Sequence, residues 1–89
     1  MSSARVKSIH ENAYQVLIEC LRTARQEADV TQTDLAERLG TDQSYVSKYE
    51  RAERRLDVIE VRAICGALRI SFCGFMSEFE KELKRKGEP

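Results

Sequence analysis

The chain has 89 residues, of which 42% are hydrophobic and 34% are charged, and 15 basic side chains balance 15 acidic ones. This length allows one small domain with a single core, which buries roughly 60–65% of the surface that the unfolded chain exposes. No apolar run approaches the ~20 residues that span a bilayer, and the N-terminus lacks a signal-peptide pattern, so we expect a cytoplasmic protein without membrane contact. A net charge of zero argues against the basic footprint that is expected of a nucleic-acid binder, although positive charge is clustered locally.

The cysteine and histidine content argues against metal binding and catalysis. The three cysteines, Cys20, Cys65 and Cys73, show no C-x-x-C spacing, and His10 is the only histidine. Cys20 and Cys65 lie among apolar residues of helical segments, where cysteine acts as a small buried hydrophobe. The sequence has no glycine-rich phosphate loop and no nucleophile with a plausible histidine base. We therefore expect no enzymatic activity, no metal and no cofactor.

The N-terminal part is predicted to contain a short arm and a long helix. Residues 1–9 are polar, and we expect a flexible N-terminal arm there, ahead of one helical domain over residues 10–86 and a tail over residues 87–89. The first helix is predicted from near Glu11 to Ala28. Its apolar face has helical spacing and contains Tyr14, Leu17, Ile18, Leu21, Ala24 and Ala28.

Two short helices joined by a tight turn are predicted over residues 32–51. Thr31 is a good N-cap for the first of them, and Asp34 is favourable in its first turn. Gly40 can adopt the positive φ with which a helix ends before the chain reverses. Thr41 or Asp42 should cap the next helix, which is expected to end near position 51. The apolar positions, which define the buried face, are Leu35, Ala36, Leu39, Val46 and Tyr49.

Two further helices complete the predicted domain. Asp57 and Glu60 have the spacing of a capping box, which predicts a fourth helix over residues 58–68 with Val61, Ile64, Cys65 and Leu68 inward. Ser71 should cap a fifth helix over residues 71–86, and the only proline is Pro89. The sequence thus predicts an all-α, five-helix domain with an extended C-terminal helix.

The segment over residues 32–51 has the layout of a helix-turn-helix, with Asp57 opening a further helix. Its ordered residues are Thr31-Gln32-x-x-Leu35-Ala36-x-x-Leu39-Gly40 and then Ser44-x-Val46-Ser47-x-x-Glu50-Arg51. On these residues the chain resembles the lambda-repressor-like, Cro/CI-type (XRE) helix-turn-helix family from about Tyr14 to Met76. The resemblance implies a compact five-helix domain that binds double-stranded DNA, with the second helix of the motif in the major groove.

One position departs from the family pattern. Many relatives have glycine directly after the Glu-Arg pair, whereas this chain has Ala52. Alanine resists the left-handed conformation that commonly closes such a helix. We therefore expect the third helix to run on, or the following loop to differ.

Four polar residues of the third helix are candidate base readers. Gln43 can pair bidentately with adenine, and Lys48 can donate to guanine. Ser44 and Ser47 can donate or accept. The resemblance implies base-reading roles for Gln43, Ser44 and Lys48, whereas the alternative is that these side chains are ordinary solvated positions.

A second group of residues is predicted to contact the DNA backbone, which sets the register of the protein on the duplex. Gln32 stands at the N-terminus of a helix, where an anion is favoured. The resemblance implies that this glutamine also braces the first base reader. Arg51, Arg54 and Arg55 follow the recognition helix and should meet phosphates, although they are also compatible with a solvated loop.

Three other features have competing interpretations. Tyr45 is predicted to pack on a thymine methyl or to bind a phosphate, or instead to cover the flank of the domain. Arg5 and Lys7 add positive charge to the arm, where a mobile tail is the favoured interpretation. Arg25 and Glu50 match an ion pair of the family that ties the first helix to the recognition helix, and we expect it to be structural.

The C-terminal helix is predicted to mediate dimerisation. Phe72, Phe75 and Met76 should close the core, whereas Phe79 and Leu83 lie beyond the usual end of the domain. An apolar stripe there suits a homodimer interface, and the alternative is packing against the first helix.

The sequence therefore favours a homodimeric repressor that reads a palindromic operator. An antitoxin, a restriction-modification controller, or a protein-interaction adaptor that does not read DNA are the alternatives. The sequence does not decide whether the chain also binds a protein partner such as polymerase or a toxin.

Overall fold

The computed structural model describes residues 3–88, with side chains described from Glu11 onward. These residues form five helices: α1 (Ser3–Glu27), α2 (Gln32–Leu39), α3 (Gln43–Glu50), α4 (Val58–Ala67) and α5 (Phe72–Arg85). The described residues contain no strand. The predicted all-α, five-helix domain with an extended C-terminal helix is confirmed.

The first helix is longer than predicted. It begins at Ser3 instead of near Glu11 and ends at Glu27, and Ala28 is exposed instead of inward. The added segment is polar but contains neither proline nor glycine, and polarity alone does not end a helix. The flexibility of residues 1–9 stays a prediction, because residues 1 and 2 and the side chains of residues 3–10, including Arg5 and Lys7, lie outside the described part.

The turn between α2 and α3 follows the predicted chemistry. The Thr31 hydroxyl accepts a hydrogen bond from the Asp34 amide at 3.0 Å, which caps α2. Gly40 closes α2 in the left-handed conformation with φ of 71°. Asp42 occupies the N-cap position of α3, but its side chain makes no capping hydrogen bond. The geometry of this turn therefore depends on the glycine more than on the Asp42 side chain.

The caps of α4 and α5 also match the sequence. The Asp57 carboxylate accepts from the Glu60 amide at 2.8 Å, and the Glu60 carboxylate accepts from the Asp57 amide at 3.0 Å. This reciprocal arrangement is the predicted capping box. The Ser71 hydroxyl accepts from the Gly74 amide at 3.0 Å and starts α5.

The core lies where the helices cross. α2 packs on α3 and α4, while α1 packs on α3 and α5, and α4 also contacts α5. All the apolar residues predicted for the inner face of α4 are buried, and Phe75 of α5 is buried against them. The side chains with the least exposure are Leu21, Leu35, Val46, Tyr49, Ile64 and Cys65. The packing of α3 against α1 and α2 fixes which of its faces remains outside.

The end of α3 differs from the expectation for Ala52. Ala52 adopts a left-handed φ of 59°, and α3 ends at Glu50, so the first of the two alternatives, an extended third helix, is wrong. The Ala52 amide donates to the Tyr49 carbonyl at 2.9 Å and the Glu53 amide to the Lys48 carbonyl at 2.8 Å. These two bonds satisfy carbonyls that the helix end would leave unpaired, and they hold alanine in a conformation that it disfavours.

Replacing Ala52 with glycine should raise the free energy of unfolding by about 1 kcal/mol, because glycine has no Cβ to oppose a left-handed φ. Urea denaturation measures this change. Gly40→Ala is the matched control, because Gly40 also has a left-handed φ and the space beside its Cα is open. That variant should lose a similar amount. A loss of stability in Ala52→Gly would show that the packing of the alanine methyl outweighs the strain.

Candidate nucleic-acid interface

The outer face of α3 carries the predicted base readers. Gln43, Ser44 and Lys48 are exposed and Ser47 is half-buried, while Val46 and Tyr49 are fully buried. The spacing of the four polar side chains places them on one side of the helix. The structure therefore brings all four predicted residues together on a surface that can enter a groove.

A chain of hydrogen bonds holds the first residue of this surface. The Gln43 amide nitrogen donates to the Gln32 carbonyl oxygen at 2.7 Å. The Gln32 amide nitrogen donates in turn to the Glu50 carboxylate at 2.9 Å. The brace that the resemblance implied for Gln32 is thus present, and it connects the two ends of α3 through the N-terminus of α2.

The far end of that chain is a buried ion pair. Arg25 of α1 binds the Glu50 carboxylate with two nitrogens, Nε at 2.7 Å and Nη2 at 3.0 Å, and its Nη1 donates to the Val30 carbonyl at 2.8 Å. The side chains are only 11% and 3% exposed. The hydrogen bond with Glu50 raises the pKa of Arg25. The predicted tie between the first helix and the recognition helix is therefore observed.

Arg51, the first arginine after α3, forms an ion pair and a hydrogen bond with other residues of the chain. It pairs with Glu53 at 2.9 Å, and both side chains are more than half exposed. It also donates a short hydrogen bond to the Ser47 hydroxyl. The bond to Ser47 keeps the guanidinium close to the predicted base-reading face, while the pairing with Glu53 partly neutralises it.

Arg54 belongs to a second cluster, which includes Tyr45. The Tyr45 hydroxyl donates to Glu60 at 2.7 Å, and Arg54 binds the same carboxylate oxygen at 2.8 Å. The Arg54 guanidinium lies 4.8 Å from the centre of the Tyr45 ring. Burial and the bond to Glu60 raise the pKa of Tyr45 to about 12. The alternative that Tyr45 covers the flank accounts for its position, and DNA contact by its hydroxyl stays a prediction.

Tyr14 anchors the arginine-bearing loop, a role that the sequence analysis did not assign. Its hydroxyl donates to the Arg54 carbonyl at 2.9 Å and accepts from the Leu56 amide at 3.0 Å. The Arg55 guanidinium lies 4.5 Å from the centre of the Tyr14 ring. A tyrosine on an otherwise aliphatic face was the available signal, because a buried tyrosine hydroxyl needs a partner.

Comparison with known proteins agrees with this geometry. Residues 21–75 match the family model described as Helix-turn-helix, HTH_3, which is more than half of the chain. The chain belongs to the XRE-type helix-turn-helix family. No curated protein matches this XRE-type domain.

Solved structures similar to this XRE-type domain include an XRE-family like protein from Pseudomonas syringae pv. tomato str. DC3000. It is 45% identical over 90% of this chain and 98% of that one, with a TM-score of 0.84. The wild-type restriction-modification controller protein C.Esp1396I is 27% identical over 82% and 95% of the two chains, with a TM-score of 0.77. A structure of the C.Esp1396I tetramer with its natural 35 base-pair operator is 28% identical over 80% and 93%, with a TM-score of 0.74.

The predicted dimer residues lie on α5 of the XRE-type domain in different environments. Leu83 is 9% exposed, and Phe79 is half-buried. Since α5 packs on α1, the alternative of packing against the first helix accounts for Leu83. The Leu83 side chain is already buried within one chain, so it can add little surface to an interface between chains.

The three cysteines of the XRE-type domain differ in their exposure. Cys65 is buried, which raises the pKa of its thiol to about 11; Cys20 is half-buried and Cys73 exposed. Among the side chains that the structure describes, from Glu11 to Glu88, no group of three or more His, Cys, Asp or Glu could hold a metal ion. Over residues 3–88, every helix is too short or too polar to cross a membrane.

Glu50→Gln should lower the free energy of unfolding by about 3 kcal/mol, because it leaves the Arg25 charge buried without a counter-ion. Urea denaturation measures the loss. Glu53→Gln breaks an exposed pair and serves as the control, which should leave stability nearly unchanged. Replacing both buried partners, as Arg25→Met/Glu50→Leu, should recover much of the loss. Equal effects of the two glutamine variants would contradict a special role for the buried pair.

Proposed function

We propose that this chain is a sequence-specific transcriptional regulator, a homodimeric repressor that reads a palindromic operator through the major groove. The observation that carries this proposal is the braced polar face of α3. A solvated helix face needs no bracing, whereas a base reader gains from a side chain that is held in place before it binds. Here the bracing extends from Gln43 through Gln32 to the buried Glu50.

The bracing of Gln43 is compatible with base reading. Its amide nitrogen has two hydrogens, and only one is needed for Gln32. The other hydrogen and the carbonyl oxygen remain for the N7 and N6 groups of adenine. Lys48 is exposed further along the same face, where its ammonium group can donate to guanine. The two side chains together would read two positions of a half-site.

The loop after α3 supplies the proposed phosphate contacts. Arg51, Arg54 and Arg55 all lie between the recognition helix and α4, on the segment that Tyr14 anchors. In the free protein Glu53 and Glu60 pair with two of these arginines. The Arg51–Glu53 pair is exposed and therefore weak, so a phosphate can replace its carboxylate, whereas Glu60 is only partly exposed. This explains how a chain of zero net charge can still bind DNA.

The comparisons favour one class of regulator. The C.Esp1396I structures are those of a restriction-modification controller, one of them a tetramer on its operator. Similarity to these structures over most of this chain supports both DNA binding and self-association here. Control of a restriction-modification system is therefore the second candidate function, which differs from the first in the target genes and not in the reading of DNA.

Selection of bound fragments from the source genome tests the proposal. Wild-type protein should recover a palindromic site, and Gln43→Ala/Lys48→Ala should bind that site about 100-fold more weakly or worse, because each lost contact costs about 1–3 kcal/mol. Gln26→Ala/Lys81→Ala is a matched control, with the same residue types exposed on α1 and α5. Recovery of nothing above background by a folded wild-type protein would favour the adaptor alternative.

Glu53→Gln should strengthen binding to any DNA several-fold, because it frees the Arg51 guanidinium from its carboxylate partner. The slope of log affinity against log salt should become steeper by less than one per protomer, because the wild-type complex already contains the Arg51 contact to phosphate. Titration of an unrelated duplex at several salt concentrations measures both effects. Glu78→Gln, which removes an exposed carboxylate paired with Lys81 on α5, should change neither. Equal gains from the two variants would show that net charge matters and the position of Arg51 does not.

A further inference from the structure

The outer side of α4 is apolar although it faces solvent. Val58 is 60% exposed and Ile59 is 70% exposed, and they are the large hydrophobic side chains that the described part of the chain leaves exposed. Ala63 and Gly66 are exposed one and two turns further on. Ile59, Ala63 and Gly66 share one side of the helix, and Arg62 lies between them and Val58 around the helix axis. We call Val58, Ile59, Ala63 and Gly66 the α4 face.

The opposite side of α4 is buried, so this helix is apolar nearly all round. Glu60 and Arg62 are its only charged residues, and Glu60 is engaged with Tyr45 and Arg54. A surface helix normally has a polar outer side, and a helix that is apolar all round is normally covered on all sides. The isolated chain leaves the α4 face uncovered.

Gly66 adds an independent observation. It has an ordinary helical φ, and a Cβ built on it meets nothing within 4 Å. Glycine in a helix is less favourable than alanine by roughly 1 kcal/mol. Gly66 therefore lowers the stability of the domain, although packing within the chain does not require a glycine there. A glycine with open space beside it suits the close approach of a backbone from outside the chain.

We propose that the α4 face is the surface through which two copies of this chain associate, an inference that rests on the homodimeric function proposed above. The face is self-complementary. Its large residues, Val58 and Ile59, lie at the N-terminal end, and its small residues, Ala63 and Gly66, lie at the C-terminal end. When two α4 helices pack antiparallel about a two-fold axis, Ile59 of each copy meets Gly66 of the other. Arg62 lies within this contact, where its aliphatic stem can pack against the partner while its guanidinium group reaches water.

The position of the face fits a dimer on DNA. α4 follows directly after the loop that carries Arg51, Arg54 and Arg55, so a second copy here would lie beside the recognition helix of the first. The similar C.Esp1396I chain binds its operator as a tetramer. In contrast, Leu83 of α5 is already buried within one chain. The α4 face therefore replaces the end of α5 as the proposed interface.

The size of the face predicts a weak dimer. A standard interface buries about 800 Å² per partner, and one face of a ten-residue helix provides less. Free protein should accordingly dimerise weakly, and two adjacent half-sites should tighten the contact by raising the effective concentration. Binding to a palindrome should then be cooperative in protein concentration.

Sedimentation equilibrium of Ile59→Glu and Phe79→Glu tests the inference, with wild type as reference. Ile59→Glu should raise the dimer dissociation constant at least ~100-fold, because each dimer loses two buried isoleucines, whereas Phe79→Glu should leave it nearly unchanged. Unchanged thermal unfolding of Ile59→Glu at low concentration would confirm that its monomer is folded. Dissociation by Phe79→Glu alone, or a wild type that is monomeric both free and on a palindrome, would overturn the proposal.

Gly66→Gln provides a second test, in which monomer stability and dimer affinity should change in opposite directions. Glutamine is a good helix former, and the space beside position 66 is open, so the monomer should become more stable. The same variant should weaken the dimer at least 10-fold, since the longer side chain blocks close approach. Higher stability with unchanged dimerisation would overturn the proposal.

DNA binding separates this inference from the proposed function. Ile59→Glu should keep wild-type affinity for a duplex with one half-site and lose cooperativity on the full palindrome. If wild-type protein dimerises through Ile59 but binds no DNA, the proposed function fails and the interface stands. If half-site binding is normal but cooperativity survives in Ile59→Glu, the interface is wrong and the function stands.

Discussion

The ion pair between Arg25 and Glu50 connects the stability of this domain to its proposed recognition of DNA. It is bidentate and almost fully buried, and buried pairs of this kind cost much more to break than to replace. Glu50 also accepts the hydrogen bond of Gln32, which holds Gln43. A single carboxylate therefore joins α1, the start of α2 and the end of α3, and a change there would alter both folding and the outermost side chain of the recognition face.

The surface of the domain is organised around that fixed helix. One side of α3 is buried against α1 and α2, and its other side presents the polar residues. The backbone of the loop that follows is held by Tyr14 at Arg54 and Leu56, whereas the Arg51 side chain is held by Ser47 and Glu53. The α4 face begins where this loop ends. Proposed base reading, phosphate contact and self-association thus occupy one continuous stretch, from Gln43 to Gly66, of a small domain.

Local features were predictable from the sequence, and features that depend on distant residues were not. The cap of α2 at Thr31 and the Asp57–Glu60 capping box involve residues three apart, so the pattern contains all the interacting groups. The Tyr14 contact joins residues 40 or more apart, and the conformation of Ala52 depends on hydrogen bonds that override its own preference. The site residues were found largely through the family resemblance, whereas the burial of Leu83 and the exposed side of α4 required the three-dimensional structure.

The paired arginines after α3 have a consequence for how such a regulator is distributed in a cell. A genome offers about 10⁶–10⁹ competing non-specific sites, and a strongly cationic protein spends most of its time on them. Here Glu53 and Glu60 pair with two of the arginines, and in the proposed function a phosphate displaces these carboxylates. In the proposed function, short residence on unrelated sequence would leave a larger share of molecules free to find the operator. A few copies per cell would then suffice for occupancy, and small changes in synthesis would change occupancy directly.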